Sequence, residues 1–366
     1  MADVDFSLLD VPSEASIGEP NEYLRAAVAW HFGEDTGSPY WLRTTKSLDF
    51  DPLTEINTFA DLRLFPSLVN ELRTVPVDDL IPRGYGSPAP VPLIFESGGT
   101  TGAPKRTVQL PDWVEQVIRW QTEDFRNGGF IAQGGFLCVM PSGPHGVGHF
   151  SRAVSARLGS TCHLVDLDPR WAKKLAARGA AGELSAYVAH VIEQVGFIMQ
   201  SQDIVNLHTT APLLDAIARD DVLTRLVCEK VRFILLSGAH VDADTYDLFR
   251  EIFPAATITM AFGSTMILSQ GSTRNPNADS DSFVFDPRAP YVVFWVVDPD
   301  TGEQVPYGER GQIVMNHVSK GMFIPNNLER DNAIRLPGPD GQVGDSVSGV
   351  APVPTFDGQA VIEGVY

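Results

Sequence analysis

The chain has 366 residues, 43% of them hydrophobic and 20% charged, which is a globular composition long enough for one large or two ordinary domains. A formal charge of −19 argues against binding nucleic acid or an anionic membrane, both of which need a basic footprint, but leaves room for one anionic small molecule held by backbone N–H groups and a cation. Cys138, Cys162 and Cys228 are odd in number and lack CxxC spacing, which predicts a reduced, cytoplasmic setting; the acidic start "MADVDFSLLDVPSEAS" does not read as a signal peptide, and no apolar run nears the ~20 residues of a bilayer span.

In chain order, residues 1 to about 90 read as loop-rich, with a helix around Glu22 to His31 and a short helical piece in "TFADLRLFPSL". A strand is expected over Val91–Phe95, then a glycine loop, then a second strand over Arg106–Leu110. Asp112 suits the N-cap of a helix through "WVEQVIRWQTEDF", where Trp113, Val117 and Trp120 recur at helical spacing. "GGFLCVMPSG" reads as strand then loop, and "HFSRAVSARLG" and "ELSAYVAHVIEQVGFIM" as helices. "VRFILLSGAHV" is an apolar strand of buried type, "ADTYDLFREIFP" a helix, and "TITMAFGST" a strand and turn. This alternation predicts an α/β fold with a mainly parallel sheet flanked by helices over residues 1–280. In "YVVFWVVDPDTGEQVPYGERGQIVMNHV" two strands are joined by an Asp-Pro-Asp-Thr-Gly turn, so residues 281–366 are expected to form an antiparallel β subdomain.

The loop "ESGGTTGAPKR" carries the chemistry. Backbone N–H groups at Gly98, Gly99 and Gly102 can approach an anion closely because no Cβ intervenes. Ser97, Thr100 and Thr101 add hydroxyl donors and Lys105 a positive charge, a set that suits a polyphosphate. It is not a Walker A sequence, since no Gly-Lys-Ser/Thr triplet closes it, and a strand follows instead of a helix. A plain flexible turn is the simpler alternative. The histidines lack metal spacing and neither HExxH nor GxSxG occurs, so neither a zinc site nor a serine-hydrolase site is expected.

With its neighbours, this loop resembles the phosphate-binding signature of the adenylate-forming (ANL) superfamily, in the branch of the phenylacetate–CoA ligases. "PSGPHGVGHF" is similar to the family's histidine loop and maps to His145 and Gly146; "LLSGAHV" is similar to the adenine-contacting turn and maps to Ser237, Gly238 and Ala239. "AFGST" resembles the aromatic-Gly-x-Thr motif, which implies that Phe262 stacks on adenine, that Gly263 and Ser264 flank it, and that Thr265 binds the α-phosphate. "VGDSV" resembles the Gly-Asp motif that holds the ribose hydroxyls, mapping to Asp345. The acid would lie against His145, Gly146, Ala239 and Gly263. Plainer readings remain: His145 as a solvated loop histidine, Phe262 as core.

The resemblance implies an ANL large domain that adenylates a carboxylic acid with ATP, leaves AMP on the acid, and uses Thr265, Lys105 and His145 in catalysis with Mg²⁺. Two departures stand against it. Met266 follows Thr265 where the family has a magnesium-binding glutamate, and a thioether suits a hard cation poorly, so Mg²⁺ would be weak or rearranged. The sequence ends at "VIEGVY", about where the family's hinge leads into a small lid domain carrying a catalytic lysine. "IPNNLERDNAIRLPG" is also unusual, though its Arg330 could reach a phosphate. Shortened superfamily members occur in phenazine antibiotic tailoring, and similarity to them in length implies a planar aromatic acid such as a phenazine carboxylate. It also allows a partner reductase or transferase and a homodimer. Trp113, Trp120, Phe136 and Phe150 are expected as core or as pocket wall. A non-catalytic binding protein of the same fold and an acyl-transfer component are the alternatives.

Overall fold

The apolar runs in the middle of the chain become buried strands. The computed structural model describes residues 4–10, 18–98, 103–274, 283–356 and 359–360. The N-terminal region holds α1 (Pro20–Phe32), α2 (Pro39–Thr44) and α3 (Pro52–Glu55), joined by 3₁₀ turns such as Phe59–Leu64. Their aromatic side chains build one core with the far end of the chain: Phe32, Trp41 and Phe65 all contact Phe323. Tyr23 donates its hydroxyl hydrogen to the Val318 carbonyl at 2.8 Å, tying α1 to the same region.

Strands β1 (Leu93–Glu96) and β2 (Arg106–Gln109) form an antiparallel hairpin, and α4 (Pro111–Asn127) follows. Asp112 is not the N-cap of α4. Leu110 is, with Pro111 at the first helical position, because proline's fixed φ and missing N–H suit that place. Asp112 instead accepts hydrogen bonds from Trp113 N and from the Tyr85 hydroxyl.

The next elements alternate: β3 (Gly135–Val139), α5 (Gly146–Arg157), β4 (Cys162–Val165), α6 (Pro169–Ala177), α7 (Ala181–Ser201), β5 (Ile204–Thr209), α8 (Ala211–Ala218), α9 (Asp221–Lys230), β6 (Phe233–Leu236), α10 (Ala243–Ile252) and β7 (Thr257–Met260). The five strands are parallel, in the order β4-β3-β5-β6-β7. Every residue of Phe-Ile-Leu-Leu in β6 is buried, as a strand covered on both faces requires.

A short hairpin, β8 (Gly263–Ser264) with β9 (Ser269–Gln270), leads to a six-stranded antiparallel sheet. Its strands are β10 (Ser272–Arg274), β11 (Val284–Asp286), β12 (Val292–Val297), β13 (Arg310–Val318), β14 (Phe323–Pro337) and β15 (Asp345–Pro352), in the order β10-β11-β15-β14-β13-β12. The turn between β12 and β13 is held by Asp298, whose carboxylate accepts from Asp300 N and Thr301 N at 2.9 and 3.0 Å. The fold is thus α/β with an added antiparallel sheet, as the alternation of elements implies. Among the described residues no helix is long and apolar enough to cross a membrane, and all three cysteines are unpaired. Trp113 and Phe136 lie in core and Trp120 packs against it.

Candidate active site

Glu96 stands opposite Arg106 in the first hairpin, so Ser97 and Lys105 lie at its neck. Its neck is closed by Ser97 N donating to the Lys105 carbonyl (2.9 Å) and Lys105 N donating to Ser97 Oγ (3.0 Å). Gly99, Thr100, Thr101 and Gly102 lie outside the described residues. The neck is braced from both sides. Arg73 donates to the Ala103 carbonyl, while Arg106 and Arg170 pair with the Glu96 carboxylate at 2.9 and 2.5 Å. Burial pushes the Glu96 carboxyl up, but the two guanidinium groups outweigh it and hold it ionised below its ordinary value.

The hairpin faces the carboxyl ends of the parallel strands, where α/β sheets place their ligand crevices. A cavity of 340 Å³ is lined there by Ser97, Gly98 and Lys105 from the hairpin and by His145 and Gly146 at the start of α5. Ser237 and Gly238 after β6 also line it, as do Gly263, Ser264 and Thr265 after β7. A second cavity of 150 Å³ is lined by Ala239, Phe262 and Tyr246. Gly238, Ala261, Gly263, Arg330 and Asp331 line both, so the two adjoin as one cleft. Gly238 turns the chain out of β6 with φ +77, a conformation natural only to glycine.

The cleft is cationic in a protein of net charge −19: Arg73, Lys105, Lys173 and Arg330 all line the larger cavity. Lys173, on α6, is only 8% exposed, and its Nζ stands 3.2 Å from where a Cβ on Gly98 would lie. The Asp168 cap, accepting from Arg170 N and Trp171 N, starts the helix that delivers it. His145 Nδ1 donates to the Glu96 carbonyl at 3.1 Å, which leaves Nε2 as the acceptor. Burial first, and the Arg170 charge second, lower its pKa, so the imidazole is neutral at pH 7.

The segment carrying Thr265 is pinned. Ser264 Oγ accepts from Met266 N and donates to Glu329 Oε1 at 3.0 Å, and Asn327 donates to the same oxygen at 2.8 Å. Leu268 is left-handed at φ 54, a conformation costing a non-glycine residue about 1–2 kcal/mol. It is held there by Trp113 Nε1 donating to the Leu268 carbonyl (3.0 Å), and the neighbouring Ile267 carbonyl accepts from His317 Nδ1 (2.8 Å). Met266 itself is 3% exposed and belongs to the core.

One expected residue is elsewhere. Asp345 is fully buried, accepts from Arg335 Nε at 2.8 Å and from Val296 N at 3.1 Å, and lines neither cavity. Its carboxylate is spent on the sheet, so a ribose-holding role does not fit it. Asp331, on the adjacent strand β14, lines both cavities. Sequence reasoning passed over Asp331, Glu329 and Lys173. The signal for the first two was a charged triplet, Glu329-Arg330-Asp331, inside a long strand; nothing in the sequence marked Lys173.

Among the described residues no group of three or more His, Cys, Asp or Glu side chains is poised to hold a metal alone. Glu329 and Asp331 both line the larger cavity with Ser264 and Thr265. That donor set fits a Mg²⁺ ion bound mainly through phosphate oxygens, which needs only one or two carboxylates.

Comparison with known proteins agrees with this geometry. No curated protein matches the chain. Among solved structures, 2-hydroxyisobutyryl-CoA ligase in complex with 2-HIB-AMP and CoA, in its thioesterification state, superposes with a TM-score of 0.64 at 13% identity, over 94% of this chain and 69% of that one. The open conformation of the same ligase gives a TM-score of 0.60 at 13% identity, over 90% and 66%. At such identities the likeness speaks to fold alone, and the chain spans about two thirds of the length of these ligases. The family of AMP-binding enzymes matches residues 87–322, a stretch holding the hairpin, the parallel sheet and the Phe262–Thr265 turn. By that match the chain belongs to the AMP-binding enzyme family.

Proposed function

We propose that the cleft activates an aromatic carboxylic acid with ATP. A carboxylate oxygen of the acid attacks the α-phosphorus, a new O–P bond forms, the bond from that phosphorus to the β-bridging oxygen breaks, and pyrophosphate leaves with the electron pair. One observation carries this reading: a cavity lined by Lys105 and by Lys173, which stands beside Gly98, adjoins across Gly238, Ala261 and Gly263 a slot lined in part by Ala239, Phe262 and Tyr246. That is the charge pattern of a nucleoside triphosphate. In this reading Phe262 packs on the purine across from Ala239, and Asp331, at the junction, accepts from the ribose hydroxyls. Thr265 contacts the α-phosphate, while Ser97, Gly98 and the two lysines hold the β- and γ-phosphates. Glu329, which lines the larger cavity with Thr265, would hold Mg²⁺, which offsets phosphate charge when bound. His145, being neutral, leaves the nucleophile's charge undiminished. The chain's own contribution is positioning and charge stabilisation.

An aromatic acid is favoured because Phe95, Phe125 and Phe150 line the larger cavity and none of them lines the slot. The test is pyrophosphate–ATP exchange with a panel of benzoates and phenazine carboxylates, run alone and with a reductase or acyl transferase that would consume the adenylate. Exchange driven by at least one aromatic acid is expected; absence of both exchange and ATP binding overturns the reading. A second reading, acid and nucleotide binding without turnover, is favoured by the buried Met266 after Thr265. Calorimetric binding of ATP and acid with no exchange would select it.

A further inference from the structure

The larger cavity contains polar groups that the nucleotide does not need. Gln109, the last residue of β2, is 3% exposed, lines the cavity, and has its Oε1 buried with no hydrogen-bond partner. Three residues of extended strand separate it from Lys105, about 13 Å of chain, which is too far for it to serve the phosphates that Lys105 would hold. Gln121 reaches the same cavity from α4, on the face it shares with Phe125 one turn later. Ser151 and His208 line it too. These two are already engaged: His208 Nε2 lies 2.8 Å from Ser237 Oγ, and its Nδ1 3.5 Å from Ser151 Oγ. Burial lowers the His208 pKa to about 3, so the ring is neutral.

A buried amide oxygen without a donor is destabilising, and native proteins rarely leave one so unless a ligand or water meets it. Phe125 and Phe150 line the same cavity, so it offers aromatic surface to a ring. We infer that the acid carries an O–H or N–H donor on its ring, received by Gln109 Oε1, with Phe125 and Phe150 against the ring faces. This rests on the acid-activation reading above and narrows it, from aromatic acids in general to hydroxy- or amino-substituted ones.

The experiment compares matched sets of aryl acids, each unsubstituted, hydroxylated, aminated and O-methylated at each ring position, by pyrophosphate–ATP exchange and by calorimetry. At one ring position the hydroxy or amino acid should outperform both its unsubstituted and its methoxy counterpart by about tenfold or more, because a site built to hydrogen-bond a group rejects analogues lacking it. Gln109→Leu and Gln109→Met should each erase that preference, with ATP affinity as the check that the variant is folded. Equal use of all substituents by the wild-type protein, which needs no variant, overturns the inference while leaving acid activation intact. A donor preference that survives in both variants overturns it as well. Failure of every acid together with failure to bind ATP removes both this inference and the reading beneath it.

Discussion

The two ends of the β14–β15 ladder each carry an aspartate, and the two have opposite surroundings. Asp331 pairs with Pro352 at one end, and Asp345 pairs with Pro337 at the other. Residues 331 to 337 of β14 span about 20 Å between them. Asp331 opens onto the cleft, where it meets Arg330 and Gly263. Asp345 is sealed under the sheet with Arg335, whose guanidinium also donates to the Val305 carbonyl. Burial raises the Asp345 pKa despite Arg335, as a carboxylate placed for structure shows. The Gly-Asp sequence at 344–345 looks more like a motif than Glu329-Arg330-Asp331 does. Ladder register, and not local resemblance, decides which carboxylate reaches the ligand.

The largest effect that sharpens this contrast is acid sensitivity of the antiparallel side. His31 and His317, which bracket Ser319 after β13, are pushed by burial to about 4 and about 3 against the hydrogen bonds they donate to the Ser319 and Ile267 carbonyls. On the parallel side His208 alone is so placed, at about 3. In the unfolded chain each returns to an ordinary value near 6.5. Below that pH the unfolded state binds more protons, so stability is full above about pH 6.5 and is lost as pH falls toward the folded values. Each histidine contributes up to about 1.4 kcal/mol per pH unit across that window. Urea titrations from pH 7 to pH 4 should show midpoints falling steeply, and His317→Gln should flatten the slope. Stability unchanged between pH 7 and pH 5 would refute this account of the buried imidazoles.

Next in size is the aspartate pair itself. Asp345→Ala leaves the Arg335 charge buried without its partner and should cost about 3–5 kcal/mol in a denaturation curve. Asp331→Asn should leave stability within about 1 kcal/mol while weakening ATP and AMP binding about tenfold. Calorimetry and denaturation on both variants check the assignment, and exchanged phenotypes would return the ribose role to Asp345.

The smallest effect concerns the phosphate corner. Lys173→Met should weaken ATP about tenfold, comparably to Lys105→Met, with a lesser effect on AMP, which lacks the β- and γ-phosphates. An unchanged ATP affinity with a lowered melting temperature would make Lys173 a structural cation only.

Much of this architecture was legible before any coordinates. The helix placed at Glu22–His31 runs Pro20–Phe32, and the buried strand read in "VRFILLSGAHV" is Phe233–Leu236. The short helical piece read in "TFADLRLFPSL" is the 3₁₀ turn Phe59–Leu64. Other short turns, such as Val77–Leu80, were not anticipated, because single turns carry too little periodicity to read, and helix α6 was passed over as well. The Asp112 cap failed because Pro111 supplied a stronger start signal one residue earlier.

By itself, the amino-acid sequence determined the alternation of strands and helices, the glycine hairpin, and the Phe262–Thr265 turn, since these depend on side-chain periodicity and turn chemistry within a dozen neighbouring residues. Only the tertiary structure decided that Asp331 and not Asp345 faces the cleft, that Lys173 on α6 stands against Gly98, and that Gln109 points an unmet oxygen into the same cavity. Those outcomes depend on ladder register and on how a helix is rotated against a distant hairpin, and both are set by packing between segments far apart in the chain.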